Sequence, residues 1–166
     1  MVPDVTLRRA TEADLDALLT LRVAMFRETE GVPDADPMTE FAEATRSYLA
    51  RALPAGEFIA FVAEAEGRIV GTSGLVFFQR APTRRNLSGR DAYILNMYTL
   101  PDWRGRGIAA ALVERILDFL RSETDVTYVF LHAEQKARPV YTRAGFAPEE
   151  HSMGLPIDRS AAGGAR

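Results

Sequence analysis

The run Leu100-Pro101-Asp102-Trp103-Arg104-Gly105-Arg106-Gly107-Ile108-Ala109-Ala110 has the residue types and order that hold a phosphate. A strand, a proline, a glycine-rich turn and a helix follow one another there without a gap. A helix start leaves about four backbone N–H groups unpaired and pointing outward. The helix dipole places roughly half a positive charge at the same end. Gly105 and Gly107 let an anion approach the backbone, and Arg104 and Arg106 add charge beside it. The run also reads as a plain strand-to-helix turn with two surface arginines. The strand before it and the arginines within it favour the phosphate.

The turn is not a Walker A loop, since no Gly-Lys-Ser/Thr follows. Gly105-x-Gly107-x-x-Ala110 does match the dinucleotide pattern. That pattern wants an acidic residue about 20 positions on, at the end of the next strand. Glu123 and Asp125 have nearly that spacing but precede the strand instead of ending it. The turn also comes late, after a hairpin, with one strand-helix-strand unit behind it. A nicotinamide cofactor is therefore disfavoured.

The elements that must position this turn follow from periodicity. Val5 to Arg9 alternates as a short strand does. Thr11 stands three residues before Asp14, as in a capping box with Asp for Glu. Leu15, Leu18, Leu19, Val23 and Phe26 form one helix face that fades near Glu30-Gly31. Pro33 and Pro37 break the chain before a second helix from about Met38 to Leu53. Phe58 to Ala63 and Arg68 to Phe78 read as a hairpin across Glu66-Gly67. Arg80 to Asp91 reads as a loop, and Tyr93 to Leu100 as a buried strand ended by Pro101. A helix runs from Gly105, with Ile108, Leu112, Val113, Ile116, Phe119 and Leu120 at helical spacing. Val126 to Leu131 reads as a strand buried on both faces. Lys136 to Ala144 reads as a short helix closed by Gly145, and Phe146 starts a last, weaker strand. This order makes one α/β domain with a mixed central sheet. Residues 159–166, rich in glycine and alanine, read as a disordered tail behind a domain of 1–158.

Composition narrows the functions. The chain has 166 residues, 47% of them hydrophobic, a net charge of −3 and no cysteine. It has the length and apolar content of one domain with a real core. It lacks a disulfide framework, a thiolate metal site and a cysteine nucleophile. Two histidines, His132 and His151, exclude a three-histidine metal site, so no metal is expected. The slight acidity argues against nucleic-acid binding. No run approaches ~18 apolar residues, so no membrane span is expected. The start, Met1-Val2-Pro3-Asp4, does not read as a secretory signal, which leaves a cytoplasmic location as the default.

Arg104, Gly107 and Ala109 match the Arg/Gln-x-x-Gly-x-Gly/Ala signature of the GNAT superfamily of N-acetyltransferases. Tyr141-Thr142-Arg143-Ala144-Gly145-Phe146 matches a second motif of that family, Tyr-x-x-x-Gly-Phe. The order of elements fits from Thr6 to about Leu155, so the chain resembles a family member over nearly its whole length, and locally a bacterial subgroup. The resemblance implies acetyl-coenzyme A as cofactor. Its pyrophosphate would lie on the N–H groups of Arg104, Gly105, Arg106, Gly107, Ile108, Ala109 and Ala110. Its pantetheine arm would run along Met97, Tyr98, Thr99 and Leu100, in the gap between two splayed parallel strands, Tyr93–Leu100 and Val126–His132. Glu134 stands where many relatives carry asparagine, so that contact is not carried over.

The implied reaction is attack of a neutral amine on a thioester. Without cysteine, transfer is direct. Backbone N–H groups near Met97 and Tyr98 would stabilise the oxyanion. Tyr141 would protonate the departing thiolate, since a phenol ionises near 10 and a thiol near 8.5. Candidates for handling the amine are Glu28 and Glu30 at the end of the first helix, Asn96 on the splayed strand, and His132. Each also reads as an ordinary structural or solvated side chain. Glu28, Glu30, Asp34 and Asp36 would favour a cation, and Arg80, Arg84, Arg85 and Arg90 an anion, which together suit a small zwitterionic amine. An acetyltransferase acting on a protein N-terminus or lysine, and a silent coenzyme A-binding module, are the alternatives. A homodimer is one assembly the resemblance implies.

Overall fold

The computed structural model describes residues 4–84 and 86–149. The expected tail, the domain end at 158, His151 and Arg85 lie outside the described residues. Strand β1 spans Thr6–Arg9, and helix α1 spans Leu15–Glu30 after a 3-10 turn at Glu12–Asp14. The Thr11 N–H donates to the Asp14 carboxylate at 2.8 Å, the backward reach of a capping box. The Arg8 guanidinium clasps the same carboxylate through two bonds of 2.8 Å. Its Nε reaches Glu64 at 2.8 Å. One arginine thus ties β1, the next strand and the entry to α1 together. Gly31, at φ +66°, ends α1 in the left-handed conformation that glycine adopts freely.

Helix α2 covers Thr39–Ala52, strand β2 Phe58–Ala65 and strand β3 Arg68–Gln79. Glu66 and Gly67 between them both have positive φ, the requirement of a tight hairpin turn. Strand β4 covers Arg90–Thr99, helix α3 Ile108–Glu123, strand β5 Val129–Leu131 and helix α4 Arg138–Arg143. The sheet order is β1-β2-β3-β4-β5. Each neighbouring pair is antiparallel except β4 and β5, which are parallel.

Helices cover both faces. Leu18, Leu19, Leu49 and Ala52 of α1 and α2 pack against Phe58, Ala60 and Val62. On the other face Ile108, Leu112, Ile116, Phe119 and Leu120 of α3 pack against Ile59, Phe61, Leu75 and Ile94. No helix among the described residues is long and apolar enough to cross a membrane.

Several expected boundaries move. The helix expected from Gly105 starts at Ile108, because Gly105 and Gly107 take left-handed φ of 76° and 85°. β4 begins at Arg90, inside the expected loop, because Asp91 pairs opposite Phe78. The strand expected over Val126–His132 is only Val129–Leu131, and it is half-buried. Val126 packs against the core from outside the sheet. Phe146 to Glu149 holds no regular element, and the rest of that expected strand lies outside the described residues.

The Arg8 clasp holds the Asp14 carboxyl down at about 2, with the Arg8 hydrogen bonds as the largest cause. A depressed carboxyl stabilises the fold above its unfolded value and loses that contribution as pH falls through the folded one. Asp14→Asn should cost about 1–2 kcal/mol near neutrality, the lower figure reflecting the partial exposure of Arg8. In urea melts the gap between wild type and variant should close between about pH 4 and pH 2.

Candidate functional site

The site begins where β5 stops. Ala92, Tyr93 and Ile94 of β4 pair with Val129, Phe130 and Leu131, and β4 then runs on to Thr99 with no β5 partner. On its other side Thr72 opposes Tyr98 and Gly74 opposes Leu95, so Ser73 faces both Asn96 and Met97. This is a β-bulge, and Asn96 at its head has φ +53°. The bulge changes which backbone groups face the open side. The Ala92 N–H points to the β5 side, donating to the Tyr128 carbonyl at 3.0 Å. The Leu100 N–H points the opposite way, donating to the Val70 carbonyl at 2.9 Å. Backbone groups alternate along a strand, so two even-numbered residues facing opposite sides require the extra residue between them. Past the bulge it is Met97 and Thr99 that present backbone to the open edge.

That edge leads through Leu100 and a 3-10 turn at Pro101–Trp103 into the N-terminus of α3. Gly107 is the N-cap, and no side chain caps it. A Cβ at Gly105 would meet nothing within 4 Å, so its glycine is required by conformation and not by crowding. Thr99 Oγ1 is buried with no hydrogen-bond partner among the described residues. Uncapped N–H groups, two left-handed glycines and a spare buried hydroxyl beside an open strand edge fit a diphosphate with an amide-bearing arm.

The motif arginine turns away from the helix mouth toward α1. Arg104 donates to both Glu28 carboxylate oxygens, at 2.9 and 2.6 Å, and through Nε to the Thr99 carbonyl at 2.9 Å. The Tyr98 hydroxyl donates to Glu28 at 3.2 Å, and Lys136 Nζ lies 3.7 Å from it. Arg104 before all else lowers the Glu28 carboxyl, which makes Glu28 a weaker proton acceptor than a free carboxylate. Arg106 lies over the Trp103 ring at 4.4 Å and donates to the Asp102 carbonyl at 3.0 Å.

Tyr141 on α4 is 7% exposed. Burial pushes its phenol up to about 12, and the neighbouring Tyr93 adds to the rise. The Tyr93 hydroxyl in turn meets His132 Nδ1 at 2.9 Å. The Asn96 side-chain oxygen accepts a hydrogen bond from Arg22, which ties this candidate residue to α1. Neither Tyr93 nor Arg22 stood out in the sequence. Tyr93 reads there as one aromatic of a buried strand.

Among the described residues, several members of the two charge clusters have partners elsewhere. Arg80 pairs with Asp91, and Arg90 pairs with Asp125 at 3.1 Å. Arg27 donates to the backbone carbonyls of Pro33 and Asp36, which ties the α1–α2 connection to itself. Glu30 and Asp34 are exposed and have no partner among the described residues. With Gly107 at φ +85°, Gly107→Ala should cost about 1 kcal/mol of stability, because a Cβ is strained in that region. Chemical denaturation should show the loss, and an unchanged midpoint would contradict the left-handed cap.

Comparison with known proteins sets this geometry in context. The acetyltransferase (GNAT) family matches residues 15–146. N-acetyltransferase 8 of Rattus norvegicus is 34% identical over 110 residues, 65% of this chain and 46% of that protein. The chain spans about half the length of the curated relatives it matches. Among solved structures, a predicted acetyltransferase with acetyl-CoA from Clostridium acetobutylicum superposes with a TM-score of 0.81. It is 27% identical, with 92% of this chain and 96% of that one covered. A GCN5-related N-acetyltransferase from Ralstonia eutropha superposes with a TM-score of 0.80. It is 30% identical, with 92% and 98% covered. The bulged, open-edged strand and the uncapped helix that follows it are thus those of a member of the GNAT acetyltransferase family, to which this chain belongs.

Proposed function

We propose that the protein transfers an acetyl group from acetyl-CoA directly to a primary amine on a small molecule. The observation that carries this reading is the unpaired β4 edge running into the uncapped N-terminus of α3. An extended amide chain ending in a diphosphate is complementary to both features in that order. Met97, Tyr98, Thr99 and Leu100 would hold the arm, and the N–H groups from Arg104 to Ala110 the diphosphate. The solved neighbour from Clostridium acetobutylicum, described with acetyl-CoA, supports the same ligand.

The bound thioester supplies the acetyl group, and the chain supplies orientation and proton handling. The Met97 N–H, turned outward by the bulge, is suited to stabilise a developing oxyanion. Tyr141 would hold a proton at its hydroxyl for the departing sulfur; burial keeps it protonated throughout the neutral range. Glu28, engaged by Arg104, would serve to fix the turn against α1 rather than take a proton. The absence of cysteine supports transfer without an acyl-enzyme. The Glu28 ion pairs to Arg104 and Lys136 join the end of α1 to the turn and to the segment after β5.

Acetyl-CoA should raise the melting temperature as occupancy rises, and NAD should not. A free-thiol assay over a panel of small amines and short peptides should show turnover. Tyr141→Phe should lower kcat by about 100-fold, the low end for a positioned proton donor, with KM for acetyl-CoA little changed. Full activity in Tyr141→Phe would overturn the donor role. Binding without thiol release on any amine would instead indicate a silent coenzyme A-binding module. Peptide turnover alone would indicate a protein acceptor.

A further inference from the structure

Arg22 holds a position that the proposed reaction leaves unexplained. It lies on α1, and its guanidinium donates to the Asn96 side-chain oxygen at the head of the β4 bulge. The same guanidinium lies 4.9 Å from the centre of the Phe26 ring and 5.7 Å from that of Phe41 on α2. The two rings pack on each other at 4.8 Å. Arg8, Arg80, Arg90 and Arg104 each meet a carboxylate. Among the described residues Arg22 meets none, and Asn96 is its one hydrogen-bond partner.

A cation placed between aromatic rings wants a counter-charge. Taking it from water is costly unless a pairing replaces the lost hydration. The ring faces attract it only weakly, and a neutral amide such as Asn96 accepts a hydrogen bond without balancing the charge. Burial pulls the Arg22 guanidinium below the ordinary arginine range, against a smaller opposing pull from Tyr48. A guanidinium carries several N–H donors in a planar fork that matches a carboxylate bidentately. Arg22, Phe26 and Phe41 are all half-buried, so the cluster keeps contact with the surface.

We propose that Arg22 receives the carboxylate of the acceptor, so that the molecule acetylated is a small amine bearing a carboxylate, as an amino acid does. This deepens the acetyl-transfer reading and rests on it. Asn96 immediately precedes Met97, whose N–H is the one suited to hold the thioester oxygen. An anion on Arg22 therefore lies beside the bulge that would present the acetyl group, which suits a short separation between amine and carboxylate. Arg80 and Arg90, the arginines expected from their spacing to meet an anion, are already paired with Asp91 and Asp125. Arg22 selects the acceptor and takes no part in moving protons. The neutrality of Asn96 belongs to the same arrangement, because an aspartate there would occupy the guanidinium from within the chain.

Matched acceptors test this assignment: an amino acid, its carboxamide, and the amine that lacks the carboxyl group, each followed by free-thiol release. The wild type should prefer the acid by about 100-fold or more in kcat/KM, chiefly through KM. Arg22→Gln should reduce that preference by about 100-fold, and Arg22→Lys, which keeps the charge without the fork, should retain an intermediate one. Asn96→Asp is the sharper variant, since it leaves Arg22 in place and offers it a carboxylate at the same oxygen. Asp tolerates the left-handed backbone at position 96, where φ is +53°, much as Asn does. This variant should also lose the preference for the acid. A merely structural Arg22 would instead pair with the new aspartate and leave the preference as in the wild type. The melting shift produced by acetyl-CoA checks that each variant is folded. Equal kcat/KM for acid and neutral forms in the wild type would overturn the assignment of Arg22 and leave the acetyl-transfer reading standing. An undiminished acid preference in Asn96→Asp would do the same. No wild-type turnover on any amine would overturn the acetyl-transfer reading, and the assignment with it.

Discussion

A strand must satisfy the hydrogen-bonding groups on both of its edges, and past Ile94 β4 has a strand partner on only one of them among the described residues. Backbone N–H and C=O groups left without a partner are costly unless solvent, a side chain or a ligand takes them. The rest of the site can be read as a response to that constraint. β5 is three residues long and leaves the edge open. The bulge at Asn96 and Met97 turns a particular pair of residues, Met97 and Thr99, to face it. Arg104 Nε takes the Thr99 carbonyl, which closes one end of the edge where it meets the turn.

The arginine that closes the edge also decides what its surroundings can do. Arg104 donates to the Thr99 carbonyl and to both oxygens of Glu28. Its charge therefore stays between the end of β4 and α1. The same pairing changes Glu28. A carboxylate that accepts from Arg104 and Tyr98, with Lys136 nearby, is stabilised in its charged form and is a poor base. Charge thus holds α1, the end of β4 and the segment after β5 in register around the gap.

Much of the architecture was legible because it rests on local rules. The helix over Leu15–Glu30, the break at Pro33 and Pro37, the hairpin across Glu66-Gly67 and the apolar face of α3 all follow from periodicity and turn chemistry. The boundaries that moved were those set by pairing. Val126 is as apolar as Val129, but only Val129 to Leu131 find ladder partners in β4. Asp91 looks like a loop residue and becomes part of a strand because Arg80 and Asn86 satisfy its buried carboxylate. Partners in the expected arginine cluster depend on the fold in the same way. Arginines close in sequence found separate partners, Asp91 for Arg80 and the distant Asp125 for Arg90.

By itself the sequence determined the glycine-rich turn, because Gly105 and Gly107 can take the left-handed backbone the turn requires without the steric cost of a Cβ. It also determined the tyrosine on a short helix and the absence of cysteine chemistry. Only the tertiary structure decided the partnerships: Glu28 with Arg104, 76 residues apart, and Tyr93 with His132, 39 residues apart. Side chains so far apart along the chain have no local pattern that couples them. Their contact depends on where β5 stops, how β4 bulges and how α1 crosses the sheet. Those are outcomes of packing summed over the whole core, and no single stretch of sequence carries them.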